Sequence, residues 1–174
     1  QPAPDWDLLT GNIPCWGGTD GFLQVLHDPA DGLMFSLNGG PFQSDPLFTG
    51  LSAGFYDLTV MDSVGCLYDS LDVQLTQPFA WTIFVSADTV EVKYGESVLI
   101  ETQTGAGDPV YQWSPPELVD CDSCPAVNAS PLTDTVLTLI VTDSVGCMDT
   151  VRVRVQIDNE LQAENLAIPN VFTP

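Results

Sequence analysis

The amino-acid sequence predicts an all-β protein built of two tandem antiparallel β-sandwich domains. Apolar and polar residues alternate in several short runs, which is the pattern of a strand with one face on a core. Fourteen glycines and fourteen prolines punctuate the chain, and no stretch has convincing helical periodicity. The pentapeptide DSVGC occurs twice, at 62–66 and 143–147, each time after an alternating run. A duplicated structural unit explains this repeat better than a duplicated catalytic motif does.

Each copy of DSVGC is predicted to be the turn of a β-hairpin. Asp can bond its own backbone in a turn, and Gly can adopt a positive φ. The strands on either side have matching inward positions, which are Tyr56, Leu58, Val60, Leu71, Val73 and Leu75 in the first copy and Leu137, Leu139, Val141, Val151, Val153, Val155 and Ile157 in the second. The first copy has one more residue between its Cys and the next apolar series, which predicts a β-bulge.

Gln-Pro pairs predict the domain boundaries. The segments QPAPDWDLL and QPFAWTIFV begin at Gln1 and Gln77, and both place a Trp before apolar residues. The predicted domains are 1–78 and 79–158, followed by a polar connector in 159–174. Each domain has enough short runs for a sandwich of about seven strands of the Ig-like type. Leu-x-x-Gly-x-Tyr ending at Tyr56 predicts a tyrosine corner, and Trp113 is the predicted core Trp of the second domain.

The charge excludes some classes of function. The 174 residues include 24 acidic and three basic residues, so the formal net charge is −21. Nucleic acid requires clustered Lys and Arg, and an anionic membrane surface requires them as well. No apolar run is long enough to span a bilayer. The sequence therefore predicts neither a nucleic-acid partner nor direct membrane insertion.

The sequence also gives little support to catalysis. It has one His, and it lacks the G-x-S-x-G, HExxH, P-loop and GxGxxG motifs. The chain is therefore predicted not to be an enzyme and to have no cofactor except, as a candidate, calcium. An accessory role beside a catalytic domain of a secreted enzyme stays open as an alternative.

The first domain resembles an SprB-type repeat of large Bacteroidetes surface proteins. The resemblance rests on CWGGTDG, FSLNGGPF, LSAGFYDLTVMDSVGC and QLTQP, at 15–21, 35–42, 51–66 and 74–78. The second domain resembles the PKD-like, Ig-like modules that accompany such repeats, through ADTVEVKYGESVLI, YQWSPPELVDCDSCP and VLTLIVTDSVGCMDTVRVRV. The segment AIPNVFTP at 167–174 is similar to the opening of the gliding-motility-associated C-terminal domain, a type IX sorting signal.

This resemblance implies an exported protein, displayed at the outer-membrane surface or released outside the cell. The chain would be a non-catalytic repeat module of an adhesin or stalk, providing reach, display and adhesion. Its partners would be neighbouring modules of the same chain, surface polysaccharide or other cells. The alternative is a subunit of an extracellular fibre or sheath, a homopolymer assembled by strand donation with NLAIPNVFTP as the candidate donor.

Five cysteines in a small all-β chain favour disulfides over cytosolic thiols. Cys15 and Cys66 bracket the first domain and are predicted to bridge, the alternative being two buried free thiols. Cys121 and Cys124 form a C-x-x-C that predicts a loop-stapling disulfide, against a redox pair or half of a zinc site. The family often has a cysteine before the segment 95–97 that this chain lacks, so Cys147 is expected to be free. The rival pairing joins Cys147 to Cys121 or Cys124.

Calcium is the one metal that the sequence suggests. Candidate oxygen ligands occur in three short acidic segments, and they are Asp20, Asp28, Asp31, Asp120 and Asp122. No EF-hand spacing is present, and Asp beside Gly is ordinary turn chemistry.

The triplet Asp-Ser/Thr-apolar resembles the O-glycosylation motif of exported Bacteroidetes proteins. It predicts a glycoprotein, and its six hydroxyl residues are Ser63, Ser70, Thr89, Thr135, Ser144 and Thr150. The alternative is that the triplet only marks a turn entering a strand.

Overall fold

A computed structural model describes residues 5–158, without the side chains of Ser70 and Leu71. The chain divides into two compact units, Gln1–Ala80 and Trp81–Pro174. This division lies two residues after the expected boundary at 78. Both units are all-β sandwiches of the Ig-like type, in agreement with the predicted fold class. The expected third segment, 159–174, lies outside the described residues.

Unit 1, which ends at Ala80, has six strands between Asp5 and Ala80 rather than the expected seven. One sheet has the order β1-β2-β4 and the other β3-β5-β6, and all pairs are antiparallel. The strands are β1 Trp6–Gly11, β2 Gly21–His27, β3 Met34–Leu37, β4 Leu47–Leu51, β5 Gly54–Met61 and β6 Leu67–Leu75.

The core of unit 1 lies between its two sheets and follows the alternation in the sequence. Alternate residues of β2 and β5 point inward because successive side chains of a strand face opposite sides. The fully packed cluster is Leu23, Val25, Leu33, Phe35, Leu58, Val60 and Val73. Tyr56 donates its hydroxyl hydrogen to the carbonyl of Ser52 at 2.8 Å, which confirms the predicted tyrosine corner.

The bulge predicted after the first DSVGC is also present. The register of β5 and β6 shifts between Tyr56, which faces Val73, and Leu58, which faces Ser70. One extra residue of β6 is accommodated there, and Asp72 has a φ of 61°. Positive φ is characteristic of bulge positions, and Asp tolerates it better than most residues.

Unit 2, which begins at Trp81, has seven strands up to Asp158. One sheet has the order β7-β9-β11 and the other β10-β12-β13-β8. Most pairs are antiparallel as predicted, but β8 pairs with β13 in parallel. The strands are β7 Ile83–Val85, β8 Thr89–Lys93, β9 Val98–Thr104, β10 Val110–Ser114, β11 Ala126–Ala129, β12 Thr135–Thr142 and β13 Met148–Asp158.

The core of unit 2 is centred on Trp113, which is 1% exposed and lies on β10. This confirms the predicted core Trp. The surrounding buried residues come from both sheets, and they are Val92, Ile100, Val127, Ala129, Leu137, Leu139, Val141, Val153, Val155 and Ile157.

Candidate functional site

The first DSVGC forms a tight turn organised by the carboxylate of Asp62. One carboxylate oxygen, Oδ1, accepts hydrogen bonds from the backbone N–H groups of Val64 at 3.0 Å and Cys66 at 2.8 Å. The other, Oδ2, accepts the hydroxyl of Tyr68 at 3.3 Å. The backbone N–H of Asp62 donates to the carbonyl of Cys66, and Gly65 has a φ of 89°. As predicted, the turn depends on an Asp whose carboxylate accepts its backbone N–H groups and on a Gly that adopts a positive φ.

The second DSVGC repeats this geometry around Asp143. Its Oδ1 accepts from the N–H groups of Val145 at 2.9 Å and Cys147 at 2.8 Å, and Gly146 has a φ of 97°. In place of the Tyr, the side chain of Trp81 lies close enough to Asp143 to make a small contribution to lowering the pKa of that carboxyl. The same turn thus forms in two different surroundings.

These hydrogen bonds stabilise the ionised form of each turn carboxylate. The backbone N–H of Cys66 is the main cause that lowers the pKa of Asp62, with smaller contributions from Val64 and Tyr68. The N–H of Cys147 does the same for the pKa of Asp143. Burial acts in the opposite direction in both turns, but hydrogen bonding outweighs it. Both carboxylates are hydrogen-bonded within their turns and have a lowered pKa. They therefore stabilise the turns and are poorly suited to act as a general base.

Cys121 and Cys124 are joined by a disulfide, which confirms the predicted staple. The bridged loop accepts two hydrogen bonds from the core Trp113. Its backbone N–H donates to the carbonyl of Asp122 at 2.7 Å, and its indole Nε1–H donates to the carbonyl of Cys124 at 3.0 Å. The disulfide therefore fixes the loop whose carbonyl accepts the hydrogen bond of the buried indole.

The disulfide loop also lies along the outer edge of β10. An uncovered strand edge can pair with another chain, and a loop that bonds to it reduces that tendency. At Trp113 the edge of β10 is thus already bonded to the loop. This disfavours the predicted alternative, strand donation, at that part of β10. The candidate donor NLAIPNVFTP lies outside the described residues.

The predicted bridge between Cys15 and Cys66 is wrong, because Cys66 is an exposed free thiol. The backbone N–H of Ile13 donates to the carbonyl of Thr76, so the segment before Cys15 lies beside the far end of β6. Cys66 directly precedes the other end of that strand, which has nine residues. At about 3.3 Å per residue the two ends are roughly 30 Å apart, far beyond the reach of a disulfide.

Cys147 is not free as expected. Its sulfur and that of Cys15 are both in disulfide bonds. Cys147 is 8% exposed, whereas Cys66 at the equivalent position of the other turn is exposed. The rival pairing of Cys147 with Cys121 or Cys124 is excluded, since those two bond to each other.

The structure does not bring the calcium candidates together. Asp28 accepts the N–H of Ala30 at 2.9 Å and caps a short 3-10 turn. Asp120 accepts both the backbone N–H and the side-chain amide of Asn128, and these bonds lower the pKa of Asp120. Asp20, Asp31 and Asp122 are exposed. Within residues 5–158, no three His, Cys, Asp or Glu side chains are grouped to hold a metal ion.

The glycosylation candidates differ in accessibility. Four of the hydroxyl residues are exposed, namely Ser63, Thr89, Ser144 and Thr150. Thr135 is half-buried, and the side chain of Ser70 is not described. Ser63 and Ser144 occupy the same position of the two DSVGC turns, so any enzyme that recognises one of these turns would meet the same backbone in the other.

Sequence reasoning missed the distribution of the cations. Lys93, Arg152 and Arg154 are the only basic residues of the chain, and all three lie on the β10-β12-β13-β8 sheet. They are exposed, on the face that points away from the core. The signal was available, since Arg152 and Arg154 alternate with the inward Val151, Val153 and Val155.

No helix within residues 5–158 has the length and apolar character needed to cross a membrane. No family model matches the sequence, and no curated protein matches it either.

Solved structures with tandem β-sandwich domains are similar to this chain. The N-terminal four Ig domains of Dscam1 match at 13% identity and a TM-score of 0.39, covering 85% of this chain and 43% of that one. A C-terminal fragment of intimin, solved in complex with the intimin-binding domain of the translocated intimin receptor, matches at 12% identity and a TM-score of 0.41, covering 85% and 64%. Fibronectin(III)-like modules of Clostridium thermocellum CbhA match at 15% identity and a TM-score of 0.32, covering 87% and 95%.

The chain thus spans less than two thirds of the length of the Dscam1 and intimin structures. TM-scores this low carry no inference about function. The assignment of the fold comes from the strand topology of each unit.

Proposed function

We propose that this chain is a non-catalytic extracellular segment of a cell-surface adhesin or stalk. Unit 1 is an SprB-type repeat and unit 2 a PKD-like module of a protein exported by type IX secretion. The observation that supports the proposal most is the disulfide between Cys121 and Cys124, which holds the loop over the core Trp113. Structural disulfides form and persist in oxidising compartments outside the cytosol.

The distribution of polar chemistry supports a role in display rather than catalysis. The carboxylates of Asp62 and Asp143 accept backbone hydrogen bonds within their own turns. The net charge of −21 keeps a dense surface layer hydrated. Tandem sandwich units that each have their own core provide reach in proportion to their number.

The test is the location and the redox state of the protein in its native cells. Intact cells are treated with iodoacetamide to alkylate free thiols, and the surface is then digested under non-reducing conditions with a protease that cleaves after Asp and Glu, because the chain has only three sites for trypsin. We expect surface-released peptides in which Cys121 and Cys124 are linked and Cys66 is alkylated. A cytosolic enzyme of the same cells serves as the control and must stay unreleased. Recovery of the chain only after lysis, with both Cys121 and Cys124 alkylated, would overturn the proposal.

The same peptides test glycosylation. We expect hexose-containing mass additions on at least one exposed candidate among Ser63, Thr89, Ser144 and Thr150. A matched variant replaces the Asp of one triplet, for example Asp88→Asn before Thr89, and should lose the addition at that triplet alone. Unmodified peptides at all four positions in surface-released material would refute glycosylation and leave the location intact.

A further inference from the structure

The outer face of the β10-β12-β13-β8 sheet is the only part of the chain where cations occur. Arg152 and Arg154 lie two residues apart on β13, so their side chains leave the same face about 7 Å from each other. Lys93 continues this line on β8, opposite Asp158. The rest of the chain is acidic, and unit 1 contains ten acidic residues and no basic one. Glu91 and Asp158 lie on the β8 side of this face, but its three cations make it the one basic region of the sequence.

The two arginines have no ion-pair partner among the described residues. Among residues 5–158, neither Arg152 nor Arg154 forms an ion pair or a side-chain hydrogen bond. The guanidinium group has five donors in a planar fork that fits a carboxylate with two parallel hydrogen bonds. Two exposed arginines that have no acidic partner within residues 5–158 can accept an external carboxylate as their partner.

The surroundings of the arginines have the composition of an interface. The outward positions of β10, β12 and β13 between Val110 and Gln156 include no Asp or Glu. Val110 and Met148 are 64% and 71% exposed at one end of the face, and Val136 is 45% exposed at the other. Protein interfaces are enriched in Arg and Met and depleted of acidic residues at their centres.

We propose that this face, called here the basic face and defined by Val110, Val136, Met148, Arg152 and Arg154, binds unit 1 of a second copy of the chain. Charge complementarity selects the occupant, because unit 1 is acidic throughout and lacks competing cations. Four of its ten acidic side chains, Asp5, Asp7, Asp28 and Asp31, line one open concave surface together with Trp6, Leu26 and His27. Arginines and apolar side chains on one copy thus meet carboxylates and apolar side chains on the other.

Such a contact joins two different surfaces, so each copy keeps one surface free for the next. Contacts of this heterologous kind extend into open filaments unless their rotation closes a ring. Long-range repulsion between the acidic copies is screened beyond about 8 Å at physiological salt, whereas close ion pairs are less affected. The inference does not rest on the surface role proposed above, since it concerns what the isolated chain does in solution.

The first experiment compares self-association at matched net charge. All variants carry Cys66→Ser, which prevents covalent dimers through the exposed thiol. Arg152→Gln with Arg154→Gln is compared with Gln74→Glu and Thr133→Glu, which changes the net charge by the same two units at exposed positions elsewhere. Sedimentation velocity at 0.15 M salt (about the physiological value) and rising protein concentration should show association of the parent and of the control, and about tenfold weaker association of the arginine variant.

The second experiment is a complementation by mixing. Arg152→Glu with Arg154→Glu removes the basic face, and Asp5→Lys with Asp31→Lys removes the acidic surface. Each variant alone should be monomeric. Their 1:1 mixture should associate, because the intact basic face of one variant meets the intact acidic surface of the other and the two reversed surfaces are complementary as well. Asp57→Lys with Asp69→Lys, on another sheet of unit 1, is the control and should associate like the parent. Circular dichroism melts verify that every variant is folded.

The proposal is overturned if the parent stays monomeric at millimolar concentration, or if the arginine and control variants associate equally. It is also overturned if the two charge-reversed variants fail to associate when mixed. Retention of the parent on an immobilised carboxylated or sulfated polysaccharide, lost in Arg152→Gln with Arg154→Gln and without self-association, would assign the face to an anionic glycan instead. None of these results bears on whether the chain is exported, which the alkylation experiment decides separately.

Discussion

The two DSVGC hairpins have the same turn but different strands leading away from it. In unit 2, β12 and β13 stay in one continuous register from Thr142 to Thr135. In unit 1, the pairing of β5 and β6 breaks at the bulge around Asp72. The turn is therefore determined locally, by a carboxylate that accepts two backbone N–H groups and a Gly with positive φ. The strand beyond it is determined by the packing of its own unit.

The cysteines that end the two turns, Cys66 and Cys147, also share a local backbone role and differ in everything beyond the turn. Both turns use the backbone N–H of the Cys, which donates to Asp62 or to Asp143. The thiols have no common role, since Cys66 is free and exposed while Cys147 is buried and oxidised. A repeated pentapeptide thus conserves a backbone geometry without conserving the chemistry of each side chain.

The largest expected effect tests whether each unit depends on its own core. Trp113→Ala should destabilise unit 2 by about 3–5 kcal/mol, as is typical when a buried Trp is truncated. Phe35→Ala is the matched change on β3, the equivalent strand of unit 1, where Phe35 is fully buried. Hydrogen exchange followed by mass spectrometry should show lost protection in the altered unit alone. Loss of protection in both units with either variant would contradict the comparison.

The staple at Cys121 and Cys124 is a feature of unit 2 only, and removing it should affect that unit only. Cys121→Ser with Cys124→Ser should lower the stability of unit 2 by about 2 kcal/mol, the loop-closure contribution of so short a bridge. The pair of substitutions is preferable to reduction, which would also act on the bonds of Cys15 and Cys147. Hydrogen exchange of the unit 2 peptides at rising guanidinium concentration measures the effect, because the chain has four tryptophans and its emission would report both units. An unchanged midpoint would show that hydrogen bonds alone fix the loop.

The equivalence of the two turns is tested by their glycines. Gly65→Ala and Gly146→Ala each place a side chain at positive φ, with no atom within 4 Å of the new methyl group. Both should therefore cost about 1–2 kcal/mol through the backbone alone. Gly54→Ala is the control, because its Cβ also meets open space but its φ is not positive. Thermal denaturation that shows a cost at one turn and none at the other would break the comparison.

The smallest expected effect is one that disappears in acid. The pKa values of Asp62 and Asp143 lie below the ordinary 3.8 in the folded chain, so each carboxylate stabilises its unit above about pH 4. That stabilisation is lost as the pH falls through the folded pKa. Asp62→Asn and Asp143→Asn should therefore lower the stability of units 1 and 2 respectively at pH 6, and the difference from the parent should shrink toward pH 3. Asp57→Asn serves as a control in an exposed position, and a difference that persists at pH 3 would contradict the electrostatic cause.

Features determined by local sequence could be predicted. The turn carboxylates, the tyrosine corner at Tyr56, the core Trp113 and the bulge near Asp72 each follow from residues close together in the chain. The C-x-x-C staple belongs to the same class, since its two cysteines are only three positions apart in the sequence. Local geometry allows few alternatives in each of these cases.

Features that depend on strand arrangement could not be predicted. The bridge of Cys15 with Cys66 was expected from position along the chain, but β6 places the two at opposite ends of a hairpin. The parallel pairing of β8 with β13 joins residues far apart in sequence, and alternation does not report strand direction. The position of Lys93 on the same face as the two arginines depends on that parallel pair as well.

That parallel pair also determines how unit 2 would respond to tension. A pull on the chain before β8 draws this strand toward its N-terminal end, and a pull after β13 draws that strand the opposite way. From Thr89 opposite Arg154 to Lys93 opposite Asp158, the whole ladder is then sheared at once rather than opened one bond at a time. The described strands of unit 1 lack such a pair, since all of its pairings are antiparallel. Under load, unit 1 would lengthen first and act as the extensible element, while unit 2 would stay closed.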